Sequence, residues 1–258
     1  MSIQTSSALR AAWQPAQRNA AAKPRLIVAG ATGVLGNEVL RRLAGSSHFA
    51  QTRVLAKEPM ATGMAQVSIH EVWGDPQAWQ LLPGGHGADV GVVMFEPPRL
   101  YYDRERALWT PAPAQLLALA QWLRGCGVHT LVVVVPHAQG RLPDAVKRGL
   151  ANLDEQALAA LGFDRLLLVR SAQKAAPAAT QGVLKKAAAW MLSALSYMIP
   201  VTEQPVRPSK LAEFIDIAIH QLPVGTHVAS PELLWRAAEG MNTLQVVQAW
   251  LNGFNRIA

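Results

Sequence analysis

Short runs of uninterrupted apolar residues alternate with stretches of helical period along most of this chain. The first run is residues 26–29, and a helical pattern begins a few residues later. Leu35, Val39, Leu40 and Leu43 share one face of it, Arg41 points away from that face and Arg42 sits at its border. Further apolar runs at 52–56, 66–72, 89–95, 130–135 and 165–169 predict strands, the one at 130–135 being the clearest. The run at 89–95 is stopped by Glu96-Pro97-Pro98. Between the strands lie a short helix or turn at 75–82, a helix at 116–123 that ends at Gly125-Cys126-Gly127, and a helix within 144–161. Strands that are apolar throughout and alternate with helices predict a parallel sheet covered on both faces.

Beyond residue 171 the texture changes. Residues 182–198 predict an Ala-rich helix carrying Lys185, Lys186, Trp190, Leu195 and Tyr197, whose thin polar face suits a cap or an oligomer contact better than a membrane surface. A helix from Pro208 to His220 follows, with Ser209 expected as its N-cap, then a short strand at 226–229 and a terminal helix at 241–254. These pieces show no independent core. The expected organisation is a flexible arm at 1–24 and one NAD(P)-binding domain at 25–258, of which 172–258 is a substrate-side extension. The expected fold class is α/β: a doubly wound, Rossmann-like parallel sheet with a small C-terminal helical substrate-side region.

The stretch Gly30-Ala31-Thr32-Gly33-Val34-Leu35-Gly36 joins the first strand to the first helix. A glycine at 30 permits a tight turn, one at 33 lets the backbone approach a pyrophosphate, and one at 36 lets helix and strand pack closely. A diphosphate would lie on the unpaired N–H groups at the positive end of the helix. The spacing is G-x-x-G-x-x-G, not the G-x-G-x-x-G of the dinucleotide fingerprint, and an unliganded βα turn is the alternative.

This stretch resembles the phosphate loop of short-chain dehydrogenase/reductases, nearest to the extended and atypical, NmrA-like branches that begin Gly-Ala-Thr-Gly. A second passage, from Leu161-Gly162-Phe163-Asp164 through the strand to Arg170-Ser171, is similar to the "Phe-Asp, strand, Arg-Pro" of atypical members related to the Tat-interacting-protein oxidoreductases. Ser171 stands where those proteins usually have proline. The resemblance spans residues 24–236. It implies a nicotinamide cofactor held by residues 30–36. Lys57, at the end of the second strand, tilts the choice to NADP, with NAD as the alternative that the adjacent Glu58 keeps open; both residues are otherwise solvated turn positions.

The family's reduction of carbonyls rests on Tyr-x-x-x-Lys, in which the Tyr donates a proton and the Lys tunes its pKa. The tyrosines here are Tyr101, Tyr102 and Tyr197, and four positions beyond them stand Glu105, Arg106 and Val201. Counting back from Phe163 puts Lys147 at the family's Tyr position and Ala151 at its Lys position; taking Lys147 as the Lys instead puts Pro143 at the Tyr. Substitute donors are His137, which follows the strand at 130–135, and Tyr101 and Tyr102, which follow the fourth strand. A packing role for the tyrosines, and a solvated helix start for Asp103-Arg104-Glu105-Arg106, are the simpler reading. Two functions remain: an NAD(P)H-dependent reductase of the atypical type without the Tyr–Lys pair, or a non-catalytic NAD(P)-binding regulatory or scaffold protein.

Composition changes this picture little. Of 258 residues, half are apolar and 16% charged, which excludes a disordered chain. Lys and Arg exceed Asp and Glu by 24 to 17, but the excess is scattered and offers no nucleic-acid footprint. A single cysteine, Cys126, excludes an intrachain disulfide and suits the cytoplasm. The seven histidines show no metal-ligand spacing, no window is apolar enough to span a membrane, and neither G-x-S-x-G nor G-K-[ST] occurs.

Overall fold

The computed structural model describes residues 23–82, 87–138, 155–173, 206–239 and 242–254. Their strands are β1 (Arg25–Ala29), β2 (Gln51–Ala56), β3 (Val67–Glu71), β4 (Val90–Met94), β5 (Thr130–Ala138), β6 (Arg165–Gln173) and β7 (Gly225–Ala229). They form one sheet in the order β3-β2-β1-β4-β5-β6-β7, and every neighbouring pair is parallel. This is the doubly wound arrangement, and the strand order reverses between β1 and β4. A crevice at the carboxyl ends of those two strands is where such sheets take their ligands.

Period-two alternation explains why β1 is apolar throughout. Leu26 and Val28 face one core while Ile27 and Ala29 face the other, and all four are essentially without solvent contact. The first core is covered by α1 (Gly33–Gly45). The second is covered by α3 (Leu116–Gly125) and α4 (Glu155–Ala160), with α2 (Asp103–Ala107) above the sheet's carboxyl edge. On the α1 side lie also α5 (Pro208–Gln221), α6 (Pro231–Ala238) and α7 (Thr243–Phe254). Leu211, Phe214, Ile215 and Ala218 make the apolar stripe of α5, which packs along α1. The stretch after 206 thus contributes an edge strand and three covering helices to the central sheet.

Local chemistry departs from the expected elements in three places. Ser209 does not cap α5: Arg207 is the N-cap, without a side-chain hydrogen bond, and Pro208 fills the first turn, where its fixed φ and missing N–H cost nothing. β5 runs past Val135 through Pro136 to Ala138, because β6 extends equally and pairs Pro136 with Ser171 and His137 with Ala172. The 75–82 stretch forms only a 3-10 turn at Pro76–Ala78, capped by the Asp75 carboxylate, which accepts from the Gln77 N–H at 3.0 Å. The arm at 1–22, the helix expected at 182–198 and most of the helix expected in 144–161 lie outside the described residues.

The connection from β2 to β3, residues 57–66, carries no helix. A cavity of about 560 Å³ therefore stands between α1 and the faces of Val54, Val67 and Ile69, reaching up to Arg99 and Glu105. Among the described residues, no helix is long and apolar enough to cross a membrane.

Candidate functional site: a helix N-terminus filled by the chain's own carboxylates

At the carboxyl end of β1 the backbone turns through Gly30 (φ 75°) and Gly33 (φ 72°), both in the left-handed region that glycine adopts without strain. A Cβ on Gly30 would fall on the carbonyl oxygen of Met94 at the end of β4, so the turn sits hard against the neighbouring strand. Thr32, fully buried, donates its hydroxyl to the Glu96 carbonyl and shares a 2.9 Å hydrogen bond with the Thr110 hydroxyl. The turn therefore presents its N–H groups at the start of α1, where the helix dipole adds positive potential.

Two carboxylates already occupy those donors. Leu35 N–H donates to Glu96 Oε2 at 2.7 Å, with the Val34 and Gly36 N–H groups also directed at the same carboxylate. Gly33 N–H donates to Glu105 Oε2 at 3.1 Å. A side chain at 33 would run into that of Glu96. Glu96 and Glu105 thus sit where the resemblance places a diphosphate, and each makes the kind of N–H contact a phosphate oxygen would make.

Glu105 is also the anchor of a strap. The Arg99 N–H donates to its Oε2 at 2.9 Å, and the Arg99 guanidinium grips Oε1, with Nε at 2.7 Å. Asn37 Nδ2 donates to Oε1 at 2.7 Å while also donating to the Gly33 carbonyl. The chain from 96 to 110 then lies across the ends of β1 and β2: Gly30 N–H donates to Trp109 O at 3.1 Å, and Lys57 N–H to Ala107 O at 2.7 Å. Burial by itself would raise the Glu105 pKa, but the Arg99 hydrogen bonds and the N–H groups of Arg99 and Gly33 outweigh it and hold the carboxyl below its ordinary value. Glu96 goes the other way. Burial, helped by the charge of Glu105, raises it despite the three N–H groups at the helix start.

The residues expected from sequence are placed as follows. Ala31, Thr32, Gly33, Leu35 and Gly36 are buried in the turn, and Val34 is half exposed at its rim. Lys57 is exposed directly after β2. Tyr101 is 94% exposed and contributes nothing to a core. Tyr102 is also exposed, with the Arg99 guanidinium 3.8 Å above its ring. His137 lies in β5 near the carboxyl edge of the sheet, in register with Ala172. Pro143, Lys147, Ala151 and Tyr197 lie outside the described residues.

Sequence reasoning missed both carboxylates. Glu96 reads as a strand stop, although it comes directly off β4 at the strand-order reversal. Glu105 sits in a run of charges that reads as solvated, yet it is only 4% exposed. Its burial follows from Arg99, six residues earlier, folding back on it.

No protein-family model and no curated protein matches this chain. Among solved structures, a nucleoside-diphosphate-sugar epimerase from Staphylococcus aureus is similar at 16% identity and a TM-score of 0.48, covering 80% of this chain and 71% of that one. A glucuronic acid dehydrogenase from Chromohalobacter salexigens is similar at 12% identity and 0.47, covering 89% and 88%. The Bordetella bronchiseptica enzyme WbmG, solved in complex with NAD, gives 12% and 0.42, covering 87% and 81%. Likeness at this level concerns the course of the chain, and the chemistry of those proteins remains their own.

Proposed function

We propose that this chain is a nicotinamide-dinucleotide-binding module, taking NADP(H) in preference to NAD(H) at the β1–α1 turn, whose pyrophosphate seat is held by Glu96 until the cofactor displaces it. The observation that carries the reading is the convergence of the Gly33 and Leu35 N–H groups on carboxylates: the turn is built to bind anions and already does so. The occupant is replaceable, because Glu96 is attached through a single side chain and its charged form is disfavoured by burial and by Glu105. Residues 25–258 act as one domain in this reading, with the elements after 206 completing its sheet and core.

A regulatory or scaffold role fits the site better than carbonyl reduction. Tyr101 and Tyr102 both stand open to solvent, so neither is enclosed in a site that would hold a carbonyl against it away from water. The position of His137 at the carboxyl end of β5 favours a second reading, an atypical reductase that passes hydride to quinones or flavins, which depend less on an enzyme-supplied proton.

Calorimetric titration with NADPH and NADH tests the binding. Saturable binding of NADPH is expected, and no binding of either nucleotide, even by Glu96→Gln, would remove the assignment. NADPH oxidation across ketones, quinones and flavins separates the two readings. Ketones should not turn over, because loss of general acid catalysis alone costs about 10²–10⁴-fold. Fast ketone reduction that persists in His137→Ala would show a proton donor elsewhere and defeat the binding-module reading.

Cofactor choice has its own test. Lys57→Ala should weaken NADPH binding several-fold, the scale of an exposed ion pair, and leave NADH binding unchanged. Equal losses for both nucleotides would remove Lys57 as the partner of the 2′-phosphate.

A further inference from the structure

At the opposite edge of the sheet, a second cluster is independent of the nucleotide seat. His48 stands in the turn between α1 and β2, and Asp216 and His220 are one helical turn apart on α5. His48 Nδ1 lies 3.8 Å and His220 Nε2 3.7 Å from the same oxygen, Asp216 Oδ1. Each distance is too long for a hydrogen bond. The Asp216 side chain is only 7% exposed, and among the described residues its Oδ1 accepts no hydrogen bond while shut off from solvent. A buried carboxylate oxygen left this way is costly, and a cation between it and the two imidazoles would relieve that cost.

We infer that His48 Nδ1, Asp216 Oδ1 and His220 Nε2 form a binding site for a divalent transition-metal ion of the zinc class. The ligand atoms all lie within 4.8 Å of one another. Ligands about 2.0–2.1 Å from a tetrahedral ion stand roughly 3.3 Å apart, so closing this triad brings each histidine about half an ångström nearer Asp216 Oδ1 and the two histidine nitrogens nearer each other by up to about 1.5 Å. Two imidazoles and one carboxylate select zinc-like ions over magnesium and calcium, which take oxygen ligands. The rings meet edge-on, with centroids 4.1 Å apart, and the His220 ring also rests against Phe49 at 5.7 Å.

The surroundings orient the ligands. Arg42 Nε donates to Asp216 Oδ2 at 2.9 Å, which turns the other oxygen, Oδ1, toward the histidines. His48 is 55% exposed, which leaves an entry path and a fourth position open to water. An ion here would clip the end of α1 to α5, far from the β1–α1 turn. Its role would be to join these helices, with no part in chemistry at the nucleotide seat.

The test uses the full chain stripped with EDTA and titrated with Zn²⁺ by calorimetry, with Co²⁺ visible absorption reporting coordination geometry. Expected are one ion per chain at micromolar or tighter affinity, low-coordinate Co²⁺ bands, and a Tm raised by Zn²⁺. His48→Ala and His220→Gln should each weaken binding at least tenfold and abolish the Tm rise. If His220→Gln disturbs the fold, His48→Ala decides, because that side chain is half exposed and its loss leaves the helices packed. Zn²⁺ affinity in His48→Ala equal to that of the wild type, or no Zn²⁺ binding by the wild type, overturns the site.

Discussion

Glu96→Gln should bind NADPH at least ten times more tightly than the wild-type chain at neutral pH. The wild-type carboxylate takes the Leu35 N–H at 2.7 Å, with the Val34 and Gly36 N–H groups directed at it, so a diphosphate must expel it and then tolerate its charge nearby. Like charges brought together at a desolvated site cost several kcal/mol. Glutamine keeps the size and one acceptor oxygen but removes the charge, so it should yield the N–H groups far more readily. The pH profile supplies an independent check. Burial raises the Glu96 pKa, so its carboxyl takes up a proton at a higher pH than an exposed glutamate would as pH falls. NADPH binding by the wild type should tighten over that window, whereas Glu96→Gln should change less. The same shift sets the sign for stability. Burial favours the protonated form more in the folded chain than in the unfolded one, so Glu96's contribution is fully present below its unfolded pKa and is lost as pH rises through the folded value. Equal affinities at every pH would show that Glu96 does not hold the seat.

Glu105→Ala should lower the unfolding free energy by about 3 kcal/mol at pH 7. It removes the acceptor from the Gly33 and Arg99 N–H groups, the Asn37 amide and the Arg99 guanidinium together; the Gly33 N–H is buried and costs about 1–3 kcal/mol when left unpaired, while the other donors are part-buried and lose less. The strap at 96–110 would lose its anchor to α1. Urea unfolding at several pH values gives the measurement. Glu105 is held below the ordinary carboxylate pKa, so its contribution is present above the unfolded value and lost as pH falls through the folded one. The difference between wild type and variant should therefore narrow in acid. A difference below about 0.5 kcal/mol at pH 7 is what a surface substitution gives, and would return Glu105 to the solvated role its neighbours suggest.

Where the code is local, it was legible. Seven strands were read at or within a few residues of their positions, because apolar runs between turn residues report burial on both faces of a parallel sheet. The glycine turn was legible for the same reason: a positive φ at 30 and 33 and a close approach at 30 and 36 leave glycine as the unstrained choice. Ser209 failed as a cap because Pro208 took the first turn, a contest between neighbours that composition does not decide.

What fills the turn was decided only by tertiary structure. Glu96 and Glu105 lie 61 and 72 residues from the N–H groups they occupy, and one of them sits in a charge run indistinguishable from a solvated face. The His48, Asp216 and His220 triad shows the same limit. The ion-pair contact from Arg42 to Asp216 spans 174 residues of chain, and only the packing of α5 on α1 brings the histidines onto one oxygen. Periodicity records how a segment meets its nearest solvent boundary, and so it specifies elements and the face each one buries. It holds no record of which distant polar group arrives at a given N–H or carboxylate, because that pairing is set by how the finished layers stack.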